Sequence, residues 1–222
     1  MPPFLRTLIF TVVGLAIVAL AWEAGALLMN EPTRLPAMSV VANRAIALSQ
    51  NADYLRQAND SAMALIYGLL PAVFGAILLG LMAESSAGIR MLVGPLAVTL
   101  GSAPLVVLLP MFVAWWGLTM FMKAAIIAVA AGFPVMNAVM IAAGEKSRIV
   151  AILHGMRLGV VLGVTALVIV EFAAASRGVG FFIMSSASLF DTTSTLAGIV
   201  LVVVPTILVA ALLQAIEAQM GD

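Results

Sequence analysis

Long apolar runs alternate with short polar breaks along this chain, and the run lengths predict what they build. A helix needs about 20 residues to cross the hydrocarbon core of a bilayer. Runs of that order predict helices near 5–29, 60–83, 91–116, 119–143, 149–175 and 195–218. The first exceeds the roughly 7–15 apolar residues of a signal-peptide core, which predicts a retained span and not a cleaved leader. Between the first two runs lies 30–59, which carries Pro32, Pro36, Arg34, Arg44 and Arg56. Within it Met38, Val41, Ala45 and Leu48 share one helical face, predicting a short interfacial helix; a solvated loop is the alternative. The Gly- and Ser-rich stretch 175–195 predicts a short re-entrant or interfacial turn. Six crossings place both termini on one side of a single transmembrane domain over 1–222.

Composition agrees with that pattern. The 222 residues are 64% hydrophobic and 9% charged, against about 25% charged in soluble domains. Such a chain cannot cover a water-facing surface, so the expected class is an all-α integral membrane protein with lipid as its main solvent. Ten basic residues balance ten acidic ones, which gives no footprint for nucleic acid. Without cysteine, and with His154 the lone histidine, neither a disulfide framework nor a metal centre is expected. No nucleophile–base pair suggests an enzyme, no phosphate-binding loop motif occurs, and no cofactor is expected. With the termini inside, Arg6, Arg90, Lys146, Arg148 and Arg157 face Arg34, Arg44, Arg56, Lys123 and Arg177 across the membrane. That is five against five, and only the dilution of three arginines over one long loop favours cytoplasmic termini.

Small residues predict close helix packing. Gly155, Gly159 and Gly163 recur every four residues, as do Gly68, Ala72, Ala76 and Gly80, a spacing that lets backbones approach in lipid. Polar groups within the runs are functional candidates, because burying them in lipid is costly. Glu171, Asn137 and Ser102 are candidates for a translocation path; the alternative for Glu171 is capping or pairing at the membrane edge, and for Asn137 and Ser102 bonding to a neighbouring helix. Pro95, Pro104 and Pro110 interrupt the third helix, and Pro104 makes it a candidate pathway wall. Glu23, His154 and Arg157 lie near helix ends, where they can reach the interface.

Several stretches together resemble a known family. "WEAGALL" in the first helix is followed by "GSAPLVVLLPMFVAWWGLT" at 101–119 and "AAIIAVAAGFPVMNAV" at 124–139. "LVIVEFAAASRGVGFFIM" follows at 167–184. Their order and spacing are similar to the membrane (permease) subunits of binding-protein-dependent ABC importers, nitrate/sulfonate/taurine type. The resemblance spans helix one to helix six; its most specific part is E-x-x-A-A-S-x-G-x-G at Glu171–Gly180. It implies a permease-like bundle in the bacterial inner membrane, paired with a second membrane subunit. An ATPase subunit would sit below and a substrate-binding protein outside, with helices three to five lining the path.

One departure matters. Between the stretches matching 124–139 and 167–184 the family carries a long cytoplasmic excursion, whose EAA segment forms the coupling helix to the ATPase. Here that connection shrinks to about Gly144–Arg148, offering Glu145, Lys146 and Arg148 to water. With some two dozen residues absent, and about 1.5 Å of rise per helical residue, so short a turn cannot build a protruding helix. The chain then reads as the passive half of a heteromeric importer of a small solute. The alternative is a permease fold repurposed as a structural or accessory subunit of another membrane complex, without ATP-driven transport.

Overall fold

The computed structural model describes residues 3–102, 105–142 and 145–221, with the side chains of 3, 100–106, 145–147 and 221 outside the described set. Among these residues the chain is helical throughout: α1 (Pro3–Met29), α2 (Met38–Ser49), α3 (Ala52–Ser85), α4 (Ala87–Ser102), a 3₁₀ turn (Leu105–Leu108), α5 (Leu109–Trp116), α6 (Met120–Ile141), α7 (Glu145–Ala174), α8 (Val179–Ser188) and α9 (Thr192–Gly221). Five of them, α1, α3, α6, α7 and α9, are long and apolar enough to span a membrane.

Contacts at the helix ends fix the topology. Arg148 Nη2 at the start of α7 meets Glu84 at the end of α3 at 2.8 Å. His154 Nδ1 on α7 lies 3.2 Å from Glu217 Oε1 near the end of α9. At the opposite end, Ser61 early in α3 donates to Glu171 late in α7, and Arg44 of α2 donates to Ser194 at the start of α9 (2.9 Å). Trp22, late in α1, donates to Pro36 O beside α2 (3.1 Å). Both described ends of the chain therefore lie on one side. Since α3 finishes there and α6 starts on the far side, the sixth crossing must be made by α4, the 3₁₀ turn and α5 together.

That crossing differs from the continuous helix expected over 91–116. Proline offers no N–H and pushes its predecessor away from helical angles. Pro110 sits in the first turn of α5, where a missing N–H costs nothing, and Pro104 lies between the helical pieces, outside the described residues. Other boundaries move for local reasons. Helix α3 begins at Ala52 and not near 60, because Asn51 Oδ1 accepts from Asp53 N (2.9 Å) and Tyr54 N (3.0 Å) as an N-cap. The stretch read as a turn over 175–195 holds helix α8. The residues read as an exposed turn, 145–148, form the first turn of α7.

Helix α6 is the centre of the bundle. Ile127, Ala131, Val135 and Val139, each four residues apart, are completely buried. On one side they meet Gly68 and Gly80 of α3, where an added Cβ would come within 2.6 Å of Ile127 Cβ and 2.7 Å of Val139 Cβ. On the other they meet α7: a Cβ on Gly155 would lie 2.7 Å from Val135 Cα, and one on Gly159 2.9 Å from Ala131 O. Gly163 stands against Leu69 and Ile127. A largely β-branched ridge thus sits between two glycine-lined grooves, the close approach that packing in lipid favours. Helix α2 buries Val41, Ala45 and Leu48 in a cluster with Tyr54, Val179, Ile183 and Ala197, so its apolar face rests on α8 and α9.

Candidate functional site

The far side of the bundle concentrates the buried polar groups. An aromatic cluster there, with Trp116 in ring contact with Phe112, Trp115 and Phe121 at 5.2–5.6 Å between centroids, is the kind of belt that marks a membrane–water interface. Just past it α6 begins, capped by Thr119 Oγ1, which accepts from Met122 N. One residue further, Lys123 turns inward and is only 8% exposed.

Lys123 is held because its charge is answered. Nζ donates to Glu171 Oε1 at 2.8 Å and to Arg177 O at 2.7 Å. Glu171, 1% exposed, also accepts from Ser61 Oγ at 2.8 and 2.9 Å and from Gly180 N at 2.8 Å. Ser61 in turn accepts from Val179 N at 2.8 Å, and Gln57 Oε1 accepts from Gly178 N at 2.6 Å. A carboxylate, a hydroxyl and a side-chain amide thus satisfy three amides at the N-terminus of α8, where a helix leaves its donors free and favours negative charge. Four helices, α3, α6, α7 and α8, meet at this one carboxylate.

The E-x-x-A-A-S-x-G-x-G stretch acquires a physical reason here. After α7 ends, the chain reverses within four residues and brings its own amides back onto Glu171. Gly178 has φ +122 with the Glu171 carboxylate directly beside the place a Cβ would take, and a Cβ on Gly180 would stand 2.6 Å from Glu171 Cβ. Only glycine permits that approach.

The other sequence candidates lie apart. Asn137 is half-buried on α6, and its side chain makes no hydrogen bond among the described residues. Pro104 and the side chains of Ser102, Glu145 and Lys146 lie outside the described residues. Arg148 pairs with Glu84, as above. Arg157 Nη2 lies 2.9 Å from His154 Nδ1 and 3.5 Å from Glu217 Oε2, a cluster on the termini side, far from Glu171. Glu23 accepts from Ser39 N (3.0 Å) and Oγ (2.9 Å), capping α2 from α1. Asp191 does the same for α9 by accepting from Ser194 N at 2.9 Å. Hydrogen bonding from Ser194, aided by the charge of Arg44 and opposed by slight burial, holds the Asp191 carboxyl below the usual range. Sequence reading missed Lys123 and Ser61: the first was counted as a loop charge, and a serine near a helix start carries no signal of its own. Among the described residues no group of acidic and histidine side chains could hold a metal.

Fold and site define a multi-pass, all-helical membrane protein. Two known proteins are similar over most of the chain. The formylaminopyrimidine transport permease protein ThiX of Halalkalibacterium halodurans is 25% identical over 203 residues, covering 80% of this chain and 81% of its own. The taurine transport system permease protein TauC of Escherichia coli is 26% identical over 231 residues, covering 90% of this chain and 83% of its own. No protein-family model matches. Nine-tenths of 222 residues is about 200, so the 231-residue alignment leaves some thirty positions without a counterpart here.

Proposed function

We propose that this chain is a membrane-spanning subunit of an ABC-type importer for a small sulfonate-, nitrate- or taurine-like solute, and that it serves as the passive half of a heteromer. Similarity to two transport permeases over four-fifths or more of the chain carries this reading, with the six-crossing topology in support. Its partners are a second membrane subunit, an ATPase on the cytoplasmic side and a substrate-binding protein outside. The termini face the cytoplasm, and the whole chain works as one transmembrane domain that moves solute and catalyses no reaction. The solute path runs past Asn137, whose side-chain amide has no hydrogen bond among the described residues, and along the crossing that holds Ser102 and Pro104. Glu171 joins that path as the bond that fixes its outer end, and not as a contact for the solute.

The passive role follows from the connection between α6 and α7. Helix α6 ends at Ile141 and α7 starts at Glu145, which leaves no room for a coupling helix. The positions present in the relatives and absent here fit the same reading. Power would then enter through the second membrane subunit. The accessory-subunit reading draws on the same short connection, and differs in expecting no transport.

Uptake separates the two. Cells in which this chain is disabled are expected to lose uptake of short sulfonates such as taurine. Replacing Glu145–Arg148 with Gly and Ser is expected to leave the rate within about twofold, since it removes one exposed ion pair of small energetic worth. Unchanged uptake in the disabled strain would reject the importer reading. Collapse of uptake in the replacement alone would reject the passive role.

A further inference from the structure

Beside the Lys123–Glu171 pair a cavity of about 220 Å³ opens on the far side of the membrane; Asp60, Thr119, Lys123, Ser176 and Arg177 form its polar wall and apolar side chains the rest. It shares Asp60 and Arg177 with a wider polar cleft of about 590 Å³ that also takes in Arg56, Gln57 and Asn59. Three charged groups face the smaller space, each with bonding capacity to spare. An ammonium has three donors, and Lys123 spends two of them, on Glu171 and on Arg177 O. Asp60 and the guanidinium of Arg177 have no side-chain hydrogen bond or ion pair among the described residues. They line one cavity without bonding each other.

We propose that this cavity is an entry site for a short soluble zwitterion, its ammonium held by Asp60 and its sulfonate or carboxylate by Arg177 and the third proton of Lys123. Charge selects for both ends at once. A plain anion meets Arg177 but is repelled by Asp60, and a plain cation meets the reverse. Glu171 cancels most of the Lys123 charge, so the site is balanced, one carboxylate against one guanidinium, with the ammonium supplying direction more than net charge. Guanidinium and carboxylate bonds to charged ligand groups are the strong class of hydrogen bond. The volume lies below the roughly 300–1,000 Å³ of sites for drug-sized ligands, which suits a small occupant. As a step in import this site rests on the importer reading, but binding itself needs no ATPase partner.

The full chain in nanodiscs of phosphatidylcholine and phosphatidylglycerol, titrated calorimetrically, tests it. Taurine is expected to bind at least about tenfold more tightly than ethanesulfonate or ethylamine, each of which lacks one charge. Asp60→Asn is expected to erase the preference over ethanesulfonate, and Arg177→Gln to weaken taurine binding by tenfold or more. Neither should move the melting temperature, since neither side chain bonds another group among the described residues. A phosphatidylethanolamine headgroup carries the same two charges. If that lipid co-purifies, and adding it to the nanodiscs abolishes taurine binding, the site belongs to a headgroup and the proposal fails. Equal binding of all three probes, or none, also overturns it. A chain that binds taurine but supports no uptake fails as an importer and keeps this site.

Discussion

Replacing Glu171 with alanine is expected to destabilise the protein by about 3–5 kcal/mol, the usual cost of leaving a buried charge without its partner. The loss is concentrated because one carboxylate serves the Lys123 ammonium, the Ser61 hydroxyl and the Gly180 amide together. Glu171→Gln keeps the shape and an acceptor oxygen but removes the charge, so a smaller loss is expected. The double variant Lys123→Met with Glu171→Leu should be more stable than Glu171→Ala alone, because no uncompensated ion remains. The unfolding midpoint of the purified protein in one detergent, followed for the whole series, is the measurement. A loss below about 1 kcal/mol in Glu171→Ala, the scale of an exposed pair, would show that water reaches the pair freely.

Gly178→Ala should cost about as much, through geometry alone. A residue with a side chain held at φ +122 carries about 1–3 kcal/mol of strain. Here the new methyl would also fall on the Glu171 carboxylate, and overpacking of that kind adds typically 1–3 kcal/mol. Gly117→Ala separates the two contributions, since Gly117 also has positive φ (+64) but open space around its Cβ. It should therefore lose only the backbone part. If the two variants melt alike, the contact between Gly178 and Glu171 contributes nothing.

Much of the fold is readable without coordinates, because lipid imposes a simple rule: about 20 apolar residues make a crossing. The run over 119–143 gives α6 almost to the residue, and the i, i+4, i+7 pattern of Val41, Ala45 and Leu48 gives the buried face of α2. The misreadings arise where hydropathy is blind to hydrogen bonding. Asn51 extends α3 by eight residues through a cap that apolar counting ignores. Pro110 opens a separate helix, α5, inside a crossing whose hydropathy is unbroken. In the Glu171 site the carboxylate and the two glycines stand out, being a charge and a turn signal inside apolar surroundings. Their partners do not, since Lys123 and Ser61 are 48 and 110 residues away in sequence and nothing local marks either as facing inward.

The most direct measurement is gentle solubilisation of the tagged chain from its native membrane, followed by identification of what elutes with it. An importer subunit without a coupling helix of its own should carry with it a second membrane subunit that retains the cytoplasmic excursion, together with an ATPase. Elution with an unrelated membrane assembly and no ATPase would contradict that assignment.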